Sequence, residues 1–153
     1  MALNIGDTAP SFSLYDTDKN QVQLADFQGK DLVVLFFPLA FTSVCTTELC
    51  SMRDNIGDYN ALNAEVVAIS IDTPFTLGKF KAEQNLNFPL LSDFNKEVSK
   101  AYGAQYDEFV LGLKGVAKRS AFVVDAEGKI KYAEVLDDAT KLPNFDAVKA
   151  ALS

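Results

Sequence analysis

Residues 32–37 form a continuous run of six apolar side chains, closed on one side by Gly29-Lys30-Asp31 and on the other by Pro38. A run of that length between turn signals predicts a strand covered on both faces, the central strand of a sheet. From Cys45 onward the period changes. Apolar residues recur at Leu49, Met52, Ile56 and Tyr59, at steps of four, three, four and three, which predicts one side of an α-helix packed on that sheet. Residues 65–71 are again a short run rich in Val and Ile. Strand, helix and strand in that order predict a right-handed βαβ unit with parallel pairing, and so an α/β fold.

Ahead of this unit, residues 11–15 and 22–24 read as short extended pieces around the polar stretch Asp16-Thr17-Asp18-Lys19-Asn20, an N-terminal β-hairpin. Behind it, Pro74 opens a helix at the first-turn position, where its missing N–H costs little, and the pattern runs to about Asn85. Residues 88–91 suit a short strand and residues 96–102 a helix stopped at Gly103. Residues 120–124 and 129–135 flank Asp125-Ala126-Glu127-Gly128 as a hairpin, and residues 144–152 suit a closing helix. No repeat or linker interrupts the pattern, so the expectation is a single domain over residues 1–153. A chain of that length buries roughly two thirds of its unfolded surface and needs no disulfide or metal staple.

Charge narrows the functional classes. The formal net charge is −7, whereas nucleic-acid and anionic-membrane binding draw on a basic stripe that releases counterions; neither partner is expected. The longest apolar run, residues 32–41, has ten residues and contains Pro38, far short of the roughly 20 needed to span a bilayer. The first residues, Met-Ala-Leu-Asn-Ile-Gly-Asp, lack the basic and apolar regions of a secretory signal, and the expected location is the cytoplasm. There is no His, which removes imidazole metal sites and Ser-His or Cys-His nucleophile pairs. Two Cys are too few for a disulfide framework or a four-thiolate metal site. No cofactor or metal is expected, and the two thiols are either plain core residues or the active centre.

Cys45 falls at the end of the predicted central strand and the start of the next helix, where open α/β sheets bind ligands. A thiol in a helix's first turn sits among unpaired backbone N–H groups at the positive end of the macrodipole, which favours thiolate. Each site residue also has a plainer reading. Cys45 lies on the helix's apolar stripe and free Cys is commonly buried; Thr42 or Ser43 could serve as the helix N-cap; Pro38 could simply end the strand. Arg119 could be a solvated cation beside Lys118, and Glu48 an exposed residue complementing the helix dipole.

Taken together, Pro38-x-x-x-Thr42-x-x-Cys45 resembles the active-site signature of the peroxiredoxins, thiol peroxidases on a thioredoxin-like fold. The segments Gly6-Asp7-Thr8-Ala9-Pro10-Ser11-Phe12, Leu24-Ala25-Asp26-Phe27-Gln28-Gly29-Lys30, Ser70-Ile71-Asp72 and Arg119-Ser120-Ala121-Phe122-Val123-Val124-Asp125 extend the resemblance over nearly the whole chain. It implies a central mixed β-sheet flanked by helices, with the N-terminal hairpin. It also implies that Cys45 attacks the peroxide, Thr42 hydrogen-bonds it, Pro38 shields the thiolate from water and Arg119 stabilises thiolate and transition state. Glu48 resembles the acidic residue that orients the arginine in many relatives. Hydrogen peroxide and organic hydroperoxides would be the substrates, a thioredoxin- or glutaredoxin-type dithiol the reductant, and a monomer or homodimer the assembly.

Cys45-Thr-Thr-Glu-Leu-Cys50 resembles the bacterioferritin comigratory protein class, also called peroxiredoxin Q, in which the second thiol resolves the sulfenic acid within one subunit. Phe36-Phe37-Pro38-Leu39-Ala40-Phe41-Thr42 and Gly112-Leu113-Lys114-Gly115 look as much like the alkyl hydroperoxidase E branch, which commonly lacks that thiol. Five helical steps turn the wheel by about 500°, placing Cys50 about 140° from Cys45 and off the apolar stripe. The readings that stay open are a resolving Cys50, a single-thiol enzyme with a structural Cys50, and a non-catalytic redox sensor or chaperone. A thiol-disulfide oxidoreductase fits less well, because four residues separate the thiols instead of the usual two.

Overall fold

The computed structural model describes residues 2–152. It contains a hairpin of β1 (Ser13–Asp16) and β2 (Gln21–Gln23), then β3 (Asp31–Phe36), α1 (Ser43–Ala61), β4 (Ala64–Ser70), α2 (Pro74–Gln84), β5 (Leu90–Ser92) and α3 (Glu97–Ala101). A second hairpin of β6 (Ser120–Val124) and β7 (Ile130–Val135) leads to α4 (Phe145–Ala151). The seven strands form one mixed sheet in the order β2-β1-β5-β4-β3-β6-β7, parallel between β3, β4 and β5 and antiparallel elsewhere. This is the thioredoxin-like α/β architecture that the resemblance implies.

Two local expectations shift. The middle strand is β4, and β3 stands next to it; burial on both faces is common to every interior strand, so residues 32–37 carry no signal separating the two positions. Leu24 leaves the hairpin for a 3₁₀ turn over Leu24–Phe27, because the Gln23 backbone N–H donates to Asp26 Oδ2 at 2.9 Å in a capping box.

Alternation along β3 divides the core in two. Val33 and Leu35 face a cluster with Leu49, Met52 and Tyr59 of α1, Leu77 and Phe80 of α2 and Val148 of α4. Leu32, Val34 and Phe36 face the opposite cluster with Phe12, Val98, Tyr102 and Phe122. The α1 stripe therefore lies on the sheet as the spacing predicts, and it hangs the start of α1 just beyond the C-terminal end of β3. Thr73 caps α2 by accepting the Thr76 N–H at 3.1 Å, directly before Pro74. Among the described residues no helix is long and apolar enough to cross a membrane.

Candidate active site

Between β3 and α1 the chain makes a loop held at two points. The Phe37 N–H donates to the Ile69 carbonyl at 3.0 Å, and the Ala40 N–H donates to Asp72 Oδ2 at 2.8 Å. Asp72 Oδ2 also accepts the Ser70 hydroxyl at 2.7 Å, so the end of β4 anchors the loop that follows β3. Phe41 adopts a left-handed φ of 68°, a conformation disfavoured for a bulky residue, with its ring edge-on to Phe80 at 5.1 Å. Thr42 then stands at the N-cap position of α1, yet its hydroxyl caps nothing and donates instead to the Leu39 carbonyl at 2.7 Å. The first-turn N–H groups around Cys45 thus receive no side-chain cap.

Cys45 is 1% exposed and Arg119, immediately before β6, is equally buried. The Arg119 guanidinium donates through Nη2 to Cys45 Sγ at 3.3 Å and through Nη1 to Glu48 Oε1 at 2.7 Å. Its Nε and Nη2 also donate to the Ala139 carbonyl at 3.2 and 3.0 Å. A backbone carbonyl and a carboxylate thereby fix the fork on the sulfur. The solvated-cation reading of Arg119 is ruled out by this burial. The exposed-dipole reading of Glu48 is ruled out as well: the residue lies beyond the first turn of α1 and is fully buried. Burial pushes the Glu48 carboxyl up to about 7 against the opposing pull of Arg119. Its Oε2 is the one buried side-chain oxygen or nitrogen without a hydrogen-bond partner among the described residues.

The site opens into a cleft of about 540 Å³, with Pro38, Thr42, Cys45 and Arg119 among its lining. One wall is Tyr106 stacked on Phe109 at 4.8 Å, and the rim is the segment 137–140. The Tyr106 hydroxyl donates to the Asp137 carbonyl at 2.7 Å, tying wall to rim. Sequence reasoning missed this wall and the Ala139 carbonyl, and it left open whether Asp72 and Phe75, after the second parallel strand, line the site or merely end that strand; Asp72 anchors the loop. A backbone carbonyl has no residue-type signature, and Tyr106 is 61 positions from Cys45. Phe75 is 72% exposed and does not line the cleft.

Cys50 is not in that cleft. It is half-buried, and its thiol donates to Gln84 Oε1 at the end of α2, at 3.4 Å. The face off the apolar stripe is therefore covered by a second helix. The structure brings Pro38, Thr42, Cys45, Glu48 and Arg119 together and turns Cys50 elsewhere. Among the described residues no three His, Cys, Asp or Glu side chains group so as to hold a metal ion.

The profile of the AhpC/TSA family matches residues 5–133. A relative from Mycobacterium tuberculosis is 46% identical over 140 residues, covering 90% of this chain and 88% of its own. Peroxiredoxin Bcp of Escherichia coli is 39% identical over 148 residues, covering 95% and 93%. Among solved structures, peroxidoxin BcpB from Mycobacterium tuberculosis superposes with a TM-score of 0.87 at 28% identity, covering 98% of this chain and 96% of that one.

Proposed function

The chain belongs to the AhpC/TSA family of peroxiredoxins and is a thiol peroxidase, and on that premise we propose that Cys45 is its peroxide-attacking thiol and Cys50 its resolving thiol. The observation that carries the first assignment is the Arg119 Nη2 contact to Cys45 Sγ at 3.3 Å, at the floor of the cleft that also exposes Thr42. An anionic sulfur beside a permanently charged donor needs no separate base.

In the proposed reaction the Cys45 thiolate attacks one oxygen of the peroxide. The S–O bond forms as the O–O bond breaks, and the departing oxygen leaves as alkoxide or hydroxide and takes a proton from water. The uncapped first turn and the Arg119 fork supply positive potential where that charge develops. The Thr42 hydroxyl donates its hydrogen bond to the Leu39 carbonyl, which leaves its lone pairs to accept the O–H of the hydroperoxide. Buried Pro38 keeps bulk water from the sulfur. Cys50 then attacks the sulfenic acid, forming the disulfide and releasing water, and a thioredoxin- or glutaredoxin-type dithiol reduces it. Hydrogen peroxide and organic hydroperoxides are the proposed substrates, and the Tyr106 and Phe109 wall supports acceptance of an apolar substituent.

The contact of Cys50 with Gln84 favours a second reading, in which Cys50 is structural and the sulfenic acid is reduced directly by an external thiol. Intact mass after one equivalent of peroxide separates the two. The expected result is the loss of two hydrogens; the gain of one oxygen would assign a single-thiol enzyme.

A further inference from the structure

The N-terminal half of helix α1 carries polar contacts on two sides. On the front side Arg119 holds Cys45 and Glu48; on the rear side the end of α2 holds Cys50 and Arg53. There the Cys50 thiol donates to Gln84 Oε1 at 3.4 Å, and Arg53 Nη1 donates to the Gln84 carbonyl at 2.6 Å. Beyond α2, Asn87 Nδ2 donates back to the Arg53 carbonyl at 3.3 Å. Of these three rear contacts only the first involves a reacting atom. We infer that Gln84 is a positioning residue for the resolving step: its side-chain amide parks Cys50 on α2, away from Cys45, and sets how fast the disulfide closes.

The inference rests on the reading of Cys50 as the resolving thiol, and its chemistry follows from the balance of that step. The reaction Cys45–SOH + HS–Cys50 → Cys45–S–S–Cys50 + H2O consumes the S–H. The hydrogen bond to Gln84 Oε1 is therefore lost by necessity, whatever path the backbone takes. In an intact helix residues five apart have Cα atoms roughly 8.6 Å apart, beyond the about 7 Å a disulfide tolerates, so the turn between them also has to unwind. Glu48 and Leu49, both fully buried, make that unwinding costly on the core side. The Gln84 contact adds to the cost on the α2 side, and it can be removed without touching the core. Gln84 is half-buried, and its link to Arg53 runs through its backbone carbonyl, which a side-chain substitution leaves in place.

The test follows fully reduced protein after one equivalent of hydrogen peroxide, acid-quenched at successive times and read by intact mass, for wild type, Gln84→Leu and Gln84→Glu. A thiol is a weak donor, so loss of this one neutral hydrogen bond corresponds to about a two- to threefold change in rate. Gln84→Leu is expected to form the disulfide faster by that factor, with sulfenic acid forming at the wild-type rate and a smaller sulfinic fraction under excess peroxide. Gln84→Glu keeps an acceptor at the same place and is expected to close no faster than wild type. A Gln84→Leu protein that closes at the wild-type rate or more slowly overturns the inference while leaving Cys50 as resolving thiol. A wild-type protein that gains oxygen and never loses two hydrogens overturns that assignment, and Gln84 falls with it.

Discussion

The two thiols of α1 are five residues apart on one helix, and almost nothing else about them is shared. Cys45 sits in the uncapped first turn, closed off from solvent, with a guanidinium donor on its sulfur and a cleft in front of it. Cys50 sits at the half-buried contact of two helices and is itself the donor, to a neutral amide. Reactivity in a cysteine is governed by the charge and donors around the sulfur, and the helix supplies these only at its front. A rotation of about 140° around the helix axis is enough to give one thiol the surroundings of a nucleophile and the other those of a reserve.

The sharpest break in this contrast is removal of each thiol in turn. Cys45→Ser is expected to reduce peroxide consumption to background with the fold intact. Cys50→Ser should complete one turnover at the wild-type rate, then stall as sulfenic acid and over-oxidise under excess peroxide unless an external thiol is added. Stopped peroxide consumption together with intact mass checks both, and equal residual activity in the two variants would erase the division of labour.

Next in size is the fork that distinguishes the front. Arg119→Met leaves Glu48 buried without its ionic partner, a change that for an ionised carboxylate typically costs about 3–5 kcal/mol and less where the group takes up a proton, measurable by urea denaturation above pH 7. Peroxide attack should slow as well, since the donor on the sulfur is gone. Replacing Glu48 by Leu in the same protein should recover much of the stability and none of the rate. Recovery of both would mean that Arg119 only balances Glu48.

A third effect depends on pH. The Glu48 carboxyl is pushed up to about 7 from its usual 4.5, so between those values the folded protein holds a proton that the unfolded chain has lost. Its contribution to stability is complete below about 4.5 and disappears as pH rises through 7, amounting to about 3 kcal/mol at most. Denaturation from pH 5 to 8 should show this fall in wild type, and Glu48→Gln should remove that component from the difference between the two proteins. Identical slopes would show that Glu48 stays ionised throughout. The smallest expected stability change belongs to Thr42→Val. Since that hydroxyl caps no helix N–H, the loss should be about 1 kcal/mol or less, while the rate of sulfenic acid formation falls.

The sequence by itself determined the order of elements, because hydrophobic period is a local property. The steps of four and three after Cys45 specify the buried side of α1, and the Val and Ile runs specify β3 and β4 before any contact is known. Through its resemblance to the peroxiredoxin signature, Pro38-x-x-x-Thr42-x-x-Cys45 also implied which residue types meet at the head of α1. The tertiary structure alone decided what arrives from elsewhere in the chain. The middle place of β4 in the sheet follows from which strands add on either side. The fixing of Arg119 depends on a backbone carbonyl at Ala139 and on the burial of Glu48, which decided between its two readings, an arginine-orienting carboxylate and an exposed residue complementing the helix dipole. The partner of Cys50 depends on where α2 ends. Each of these is a long-range meeting, set by how layers pack rather than by neighbouring residues, and charge, burial and hydrogen-bond supply at the two sulfurs follow from those meetings.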